Sequence, residues 1–205
     1  MLYVAAYDIV DNGIRNRVAQ YLENYGKRVQ YSCFEIHIYP KEQVEIIALR
    51  LRHWIEPGDR VFLYPITKRV RESIIRLPDE KRKLIEELLN EYPELSKRLF
   101  KAMFEEQIEL RFETTFKRIN NYLIIYDIED DTVRNRLSKY LETIGVRVQL
   151  SVFEIEISPR LMAGVVERLM PYSNYGKVNI YPLDKNSLRG IIRIGRPYTD
   201  LDFNY

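Results

Sequence analysis

Hydrophobic and polar positions alternate along this chain in a set order, and the whole order occurs twice. Tyr3 to Ile9 is an apolar run broken only by Asp8, the pattern of a buried strand. Asp11 or Asn12 can then cap a helix whose apolar stripe is Ile14, Val18 and Leu22, with Tyr21 and Tyr25 beside it. Gly26 follows, where a residue just past a helix often takes positive φ. Arg28 to Ile38 alternates and is rich in β-formers, which predicts two short strands kinked near Ser32. Pro40 opens a second helix carrying Val44, Ile47, Leu51 and Trp54 on one side. Pro57-Gly58 breaks the chain, Arg60 to Ile66 reads as a fourth strand and Ser73 to Leu77 as a fifth.

The second pass begins at Tyr122. Residues Tyr3 to Pro40 align without a gap onto Tyr122 to Pro159, with roughly 21 of 38 positions identical. RVFLYPI from Arg60 recurs as KVNIYPL from Lys177, and SIIRL from Ser73 as GIIRI from Gly190. The fold class is therefore α+β: two tandem ferredoxin-like βαββαβ domains, 1–78 and 122–205, each with one extra short strand. Helices on one face of each sheet leave the other face needing cover. A second copy is the natural cover, so the halves are expected to pack sheet to sheet as an intramolecular pseudo-dimer about a twofold axis. Fusion places each half at an effective concentration of about millimolar toward its partner. The segment between them, 79–121, contains no Gly. It reads as a helical linker with one stripe of Leu84, Ile85, Leu88, Leu89 and Tyr92, and a second of Leu95, Leu99, Phe100, Met103, Phe104 and Ile108.

Composition narrows the classes. The formal net charge is only +2, so nucleic-acid binding would depend on where the 32 Lys and Arg cluster. No run of about 18 apolar residues is available to span a bilayer. A single cysteine, Cys33, precludes an internal disulfide and suits a reducing cytoplasm. With two histidines in all, a His/Cys zinc site is not expected.

Chemistry concentrates in the repeated block. Asp8 and Asp127 end equivalent strands. If a dyad brings two carboxylates together, they need a cation, and Mg2+ accepts one or two carboxylates while keeping its waters. The competing role is turn capping. Arg15, Arg17, Arg134 and Arg136 lie at helix starts, where the dipole disfavours cations. Backbone phosphate is the expected partner, with Arg28 and Arg147 as further candidates and Arg76 and Arg193 less secure ones. Ser32 and Ser151 match but share no histidine base, so a local hydroxyl bond at the strand kink explains them better than nucleophilic catalysis. Cys33 aligns with Val152 and reads as core; His37 aligns with Glu156 and is no shared group. Phe34, Phe153, Tyr64 and Tyr181 read as core or inter-sheet packing.

The ordered set Tyr7-Asp8-Ile9, Arg15 and Arg17, then Gly26 through Glu35 resembles the CRISPR-associated protein two family. The second copy supplies Tyr126-Asp127-Ile128, Arg134 and Arg136, and Gly145 through Glu154. The resemblance implies a spacer-acquisition subunit that bridges subunits of the CRISPR integrase and holds duplex DNA, or RNA, through backbone phosphates. It also implies, as an alternative, a weak Mg2+-dependent endonuclease acting on RNA or DNA, with Asp8 and Asp127 as metal-binding and catalytic acids. The family's usual form is a homodimer of single domains, replaced here by a fusion. An RNA-recognition module of similar topology would carry a K/R-G-F/Y-G/A-F signature, which the sequence lacks.

Overall fold

The computed structural model describes residues 1–40, 42–77 and 119–195. The helical linker expected over 79–121 lies outside them except for its last three residues. The first repeat runs β1 (Leu2–Asp8), α1 (Asn12–Glu23), β2 (Gly26–Gln30), β3 (Cys33–His37), α2 (Gln43–Trp54), β4 (Arg60–Ile66), α3 (Lys68–Arg71) and β5 (Ile75–Leu77). The second runs β6 (Asn121–Ile128), α4 (Asp131–Glu142), β7 (Gly145–Gln149), β8 (Val152–Glu156), α5 (Pro159–Leu169), a 3₁₀ turn (Met170–Asn174), β9 (Gly176–Leu183), α6 (Lys185–Arg189) and β10 (Ile192–Gly195).

Both helix starts follow from side-chain capping. Asp11 Oδ1 accepts from the Ile14 amide at 2.8 Å, and Asp130 Oδ1 accepts from the Val133 amide at 2.8 Å. Ser158 caps α5 with Pro159 in its first turn, whereas Pro40 precedes the start of α2 at Gln43. Gly26 does not adopt positive φ. It opens β2, and a Cβ there would stand 1.9 Å from the carbonyl oxygen of Glu35. Close strand approach, rather than backbone handedness, reserves that position for glycine.

Two antiparallel five-stranded sheets result, ordered β10-β4-β1-β3-β2 and β5-β9-β6-β8-β7. The order within each four-stranded unit is ferredoxin-like, but the fifth strands are exchanged. β5 of the first repeat pairs with β9 through Ile75–Ile180 and Leu77–Val178, and β10 of the second pairs with β4 through Ile192–Leu63 and Ile194–Val61. Neither repeat completes its own sheet.

The two faces of β1 serve different cores. Tyr3, Ala5 and Tyr7 pack with Val18, Leu22, Val44, Ile47 and Leu51 beneath the helices. Leu2, Val4 and Ala6 join Cys33, Phe62 and Tyr64 in an apolar cluster continuous with the second repeat. The expected sheet-to-sheet pseudo-dimer is present: β4 meets β9 across the seam, β1 meets β7, and β2 meets β6. These reciprocal contacts are those of a twofold axis.

Two carboxylates lock the seam. Glu35 on β3 is 4% exposed; its Oε1 accepts from Tyr181 Oη at 2.7 Å and from Arg76 Nη2 at 2.5 Å. Glu154 on β8 accepts from Tyr64 Oη at 2.7 Å and from Arg193 Nη2 at 3.2 Å. In both trios the acid stands in one sheet and the phenol and guanidinium in the other, because Arg76 and Arg193 ride on the exchanged strands. These two arginines are therefore seam residues, a placement their sequence positions did not reveal.

Burial alone would raise the Glu35 carboxyl, but hydrogen bonds from Tyr181 and Arg76 and the charges of Arg76 and Lys27 outweigh it and hold it below its ordinary 4.5. Burial, with the neighbouring Glu35 charge, pushes the Tyr181 phenol well up, so it remains a donor. A depressed carboxyl stabilises the fold when ionised, fully above the unfolded value and progressively less as pH falls through the folded one. The melting temperature should accordingly hold at neutral pH and fall below about pH 4.5. Glu35→Gln should shrink that acid loss relative to the parent chain. Glu35→Ala should cost about 3 kcal/mol at pH 7 by denaturant titration, since it strands a partly buried guanidinium.

Candidate nucleic-acid interface

Of the functional residues expected from sequence, Asp8 with Arg15 and Asp127 with Arg134 stand where β1 and β6 end and α1 and α4 begin. Asp8 shares the strand parity of Val4 and Ala6, so its carboxylate projects on the inter-sheet side, at the exposed rim. Asp127 does the same after Leu123 and Ile125. Its charge reaches across the seam: burial pushes the Cys33 thiol up, and the Asp127 carboxylate adds to that shift. Cys33 is thus an inert core thiol facing the second repeat's acid. Each acid also sits cross-strand from a cation, Asp8 opposite Arg60 and Asp127 opposite Lys177.

The chemistry of this pair suits a hard divalent cation: exposed carboxylate oxygens, one from each repeat, on the same seam. Among the described residues, no group of three or more His, Cys, Asp and Glu side chains is placed to hold a metal ion.

The arginines divide into three settings. Arg15 reaches back from the first turn of α1 to donate Nη1 to the Ile9 carbonyl at 3.1 Å, and Arg134 donates to the Ile128 carbonyl at 3.3 Å while pairing with Asp131. The cations at these helix starts therefore also brace the β–α turn, a local use that the dipole argument did not foresee. Arg15 Nε is buried without a hydrogen-bond partner. Arg28 pairs with Glu23 at 3.2 Å and lies over Phe34; Arg147 pairs with Glu142 at 2.6 Å, touches Ser138 Oγ and lies over Phe153. Such exposed pairs contribute little stability and are readily exchanged for another anion. Arg17 stands apart, its guanidinium 4.4 Å above the Trp54 ring on the helical layer. Arg136 is exposed and makes no ion pair with a described residue.

Sequence reasoning missed the pair that shapes the β2–β3 turn. The kink expected near Ser32 is a bulge between Arg28 and Gln30, and the serine hydroxyl does not hold it. Gln30 Oε1 accepts from the Ser32 amide at 2.9 Å, and Gln149 Oε1 accepts from the Ser151 amide at 3.1 Å. The Ser32 and Ser151 carbonyls in turn accept from the Tyr7 and Tyr126 amides. The identical R-V-Q-x-S spacing in both copies was the available signal.

With that geometry in place, the class is defined: a covalent pseudo-dimer of ferredoxin-like repeats with exchanged edge strands. The family described as CRISPR associated protein Cas2 matches at residues 1–74 and again at 120–191, and the chain belongs to that family as two copies in one polypeptide. The CRISPR-associated endoribonuclease Cas2 1 of Archaeoglobus fulgidus is 33% identical over 89 residues, 42% of this chain and 94% of that protein. The CRISPR-associated endoribonuclease Cas2 2 of Methanospirillum hungatei is 39% identical over 74 residues, 36% and 82% of the two chains. For the CRISPR-associated endoribonuclease Cas2 4 of Rhodospirillum rubrum the identity is 42% over 66 residues, 31% of this chain, which spans about half (53%) of that relative's length. Among solved structures, Streptococcus pyogenes Cas2 aligns at 29% identity with a TM-score of 0.32, over 36% of this chain and 94% of that one. No helix among the described residues is long and apolar enough to cross a membrane.

The glutamine latch makes a direct expectation. Gln30→Ala leaves the buried Ser32 amide without its acceptor and should destabilise the chain by about 1–3 kcal/mol, read as a lower urea midpoint at unchanged slope. Ser32→Ala, which keeps the amide, should cost less.

Proposed function

We propose that this chain is a nucleic-acid-binding subunit of CRISPR spacer acquisition, holding duplex DNA through backbone phosphates and bridging integrase subunits in the cytoplasm. The observation that carries this reading is the doubling of guanidinium groups about one dyad. Arg15, Arg17 and Arg28 of the first repeat recur as Arg134, Arg136 and Arg147 of the second, one set on each half of the pseudo-dimer. A duplex backbone presents phosphates on two antiparallel strands related by local twofold symmetry, and a pseudo-twofold set of planar, bidentate donors suits it. Membership of the family supports the role in spacer acquisition and the integrase as partner.

The alternative is a Mg2+-dependent endonuclease, favoured by the matched acids at the rim and by relatives named endoribonucleases. Asp8 and Asp127 would hold the ion, which when bound would polarise a phosphate oxygen or activate water. Two carboxylates suffice to anchor magnesium, whereas hydrolysis also calls for a base. The binding reading is preferred because each half offers one such acid against three matched arginines.

Affinity for a short duplex, measured by fluorescence anisotropy at several salt concentrations, should fall by about 0.9 log unit per decade of salt for each phosphate met. With all six arginines engaged the slope approaches about −5. A slope near zero rejects the phosphate grip. The double variant Asp8→Ala, Asp127→Ala should keep duplex affinity, and any magnesium-dependent cleavage should vanish with it. Cleavage that persists in that variant rejects these acids as the hydrolytic site.

A further inference from the structure

Fusion has freed the two halves to diverge, and they have diverged where the nucleic acid is expected to lie. Between residues 9 and 31 the first repeat has four cations (Arg15, Arg17, Lys27, Arg28) against two acids, Asp11 and Glu23. The equivalent 128–150 has four cations against four acids, because Glu129 replaces Val10 and Asp131 replaces Asn12, while Val146 replaces Lys27 and Lys139 replaces Gln20. The difference reaches individual contacts: Arg134 is paired with Asp131, whereas the first turn of α1 contains no acid at all.

The second divergence is at the β2–β3 turn. Tyr31 is 57% exposed, on a backbone fixed by the Gln30 latch and by the Tyr7 hydroxyl donating to the Tyr31 carbonyl at 3.4 Å. Two guanidinium carbons lie close to its ring, Arg15 at 5.8 Å and Arg28 at 5.9 Å from the centroid. The corresponding residue in the second repeat is Leu150, 63% exposed. An exposed phenol beside two cations, carried on a hydrogen-bonded turn, has the chemistry of a nucleotide platform: a ring for a base to stack on and charges for its neighbouring phosphates. Bases inside a duplex are covered by their neighbours, so only an unpaired one can stack there.

We infer that the first repeat carries, at Tyr31 beside Arg15 and Arg28, a stacking site for an unpaired nucleotide of the bound nucleic acid, and that the second repeat lacks it. This rests on the backbone-binding reading above and adds direction to it. The pseudo-dimer holds a duplex with its frayed or single-stranded end at the first repeat.

The test compares anisotropy-measured affinities of the full chain for a blunt duplex and for the same duplex with a five-nucleotide single-stranded extension at one end. The parent chain should prefer the extended duplex by about fivefold or more, the lower end of one base–aromatic stack. Tyr31→Leu, which copies the second repeat, should bring the ratio to near one, and Tyr31→Phe should retain it. Thermal melting of both variants verifies folding. Arg15→Ala should reduce affinity for the extended duplex more than Arg134→Ala. Equal affinity of the parent chain for both ligands, or a preference that survives in Tyr31→Leu, overturns the platform while leaving backbone binding intact. Absence of binding to either ligand overturns the backbone reading itself, and this inference with it.

Discussion

The seam between the two sheets is the constraint on which everything else depends. Each repeat gives up its fifth strand to the other, so neither can satisfy the edge of its own sheet alone. The arginine on each donated strand then reaches a glutamate in the sheet its own repeat left behind, the deeper of the two being Glu35. A tyrosine from the facing sheet completes the pair. A carboxylate so deeply placed is tolerable only when fully hydrogen-bonded, and here every donor to Glu35 except Lys27 comes from across the interface. The polar contacts thus fix the register in which two apolar faces meet, a precision that apolar packing alone would not impose.

That register is what gives the rim its chemistry. Asp8 and Asp127 end β1 and β6 at the rim, and the helix starts that follow set Arg15 and Arg134 against the turn carbonyls. The arginines have local duties as well, bracing the turn carbonyls of Ile9 and Ile128. A side chain that holds its own loop and also offers donors outward is pre-organised, and less entropy is lost when an anion arrives.

Much of this was legible in the sequence. The repeat stood out at 38 aligned residues, and the need of each sheet's open face for cover foretold the sheet-to-sheet pseudo-dimer, in which Tyr3, Ala5 and Tyr7 face the helices and Leu2, Val4 and Ala6 face the other repeat. The aspartate caps could be read because their geometry is local. What could not be read was nonlocal. Nothing in Ser73–Leu77 says which sheet its strand joins, so Arg76 looked like a surface cation rather than a partner of Glu35. Gly26 and Gln30 were misjudged or overlooked for a related reason. The first is required by the backbone of Glu35 across the hairpin, the second by an amide two residues on, and neither demand is visible in periodicity.

The strand exchange also bears on how the halves are joined. Leu77 ends β5 and Asn121 begins β6, and both strands belong to the same sheet with β9 alone between them. Through Val178, Leu77 stands level with Tyr126, five residues along β6 from Asn121. Two strand spacings and that offset put the departure and return points about 20 Å apart, a gap that roughly six extended residues would close. The forty-odd residues in between exceed what tethering demands several times over. Loop-closure entropy grows only with the logarithm of length, so the surplus costs the fold little and leaves the length of this segment free to answer to some requirement other than connection.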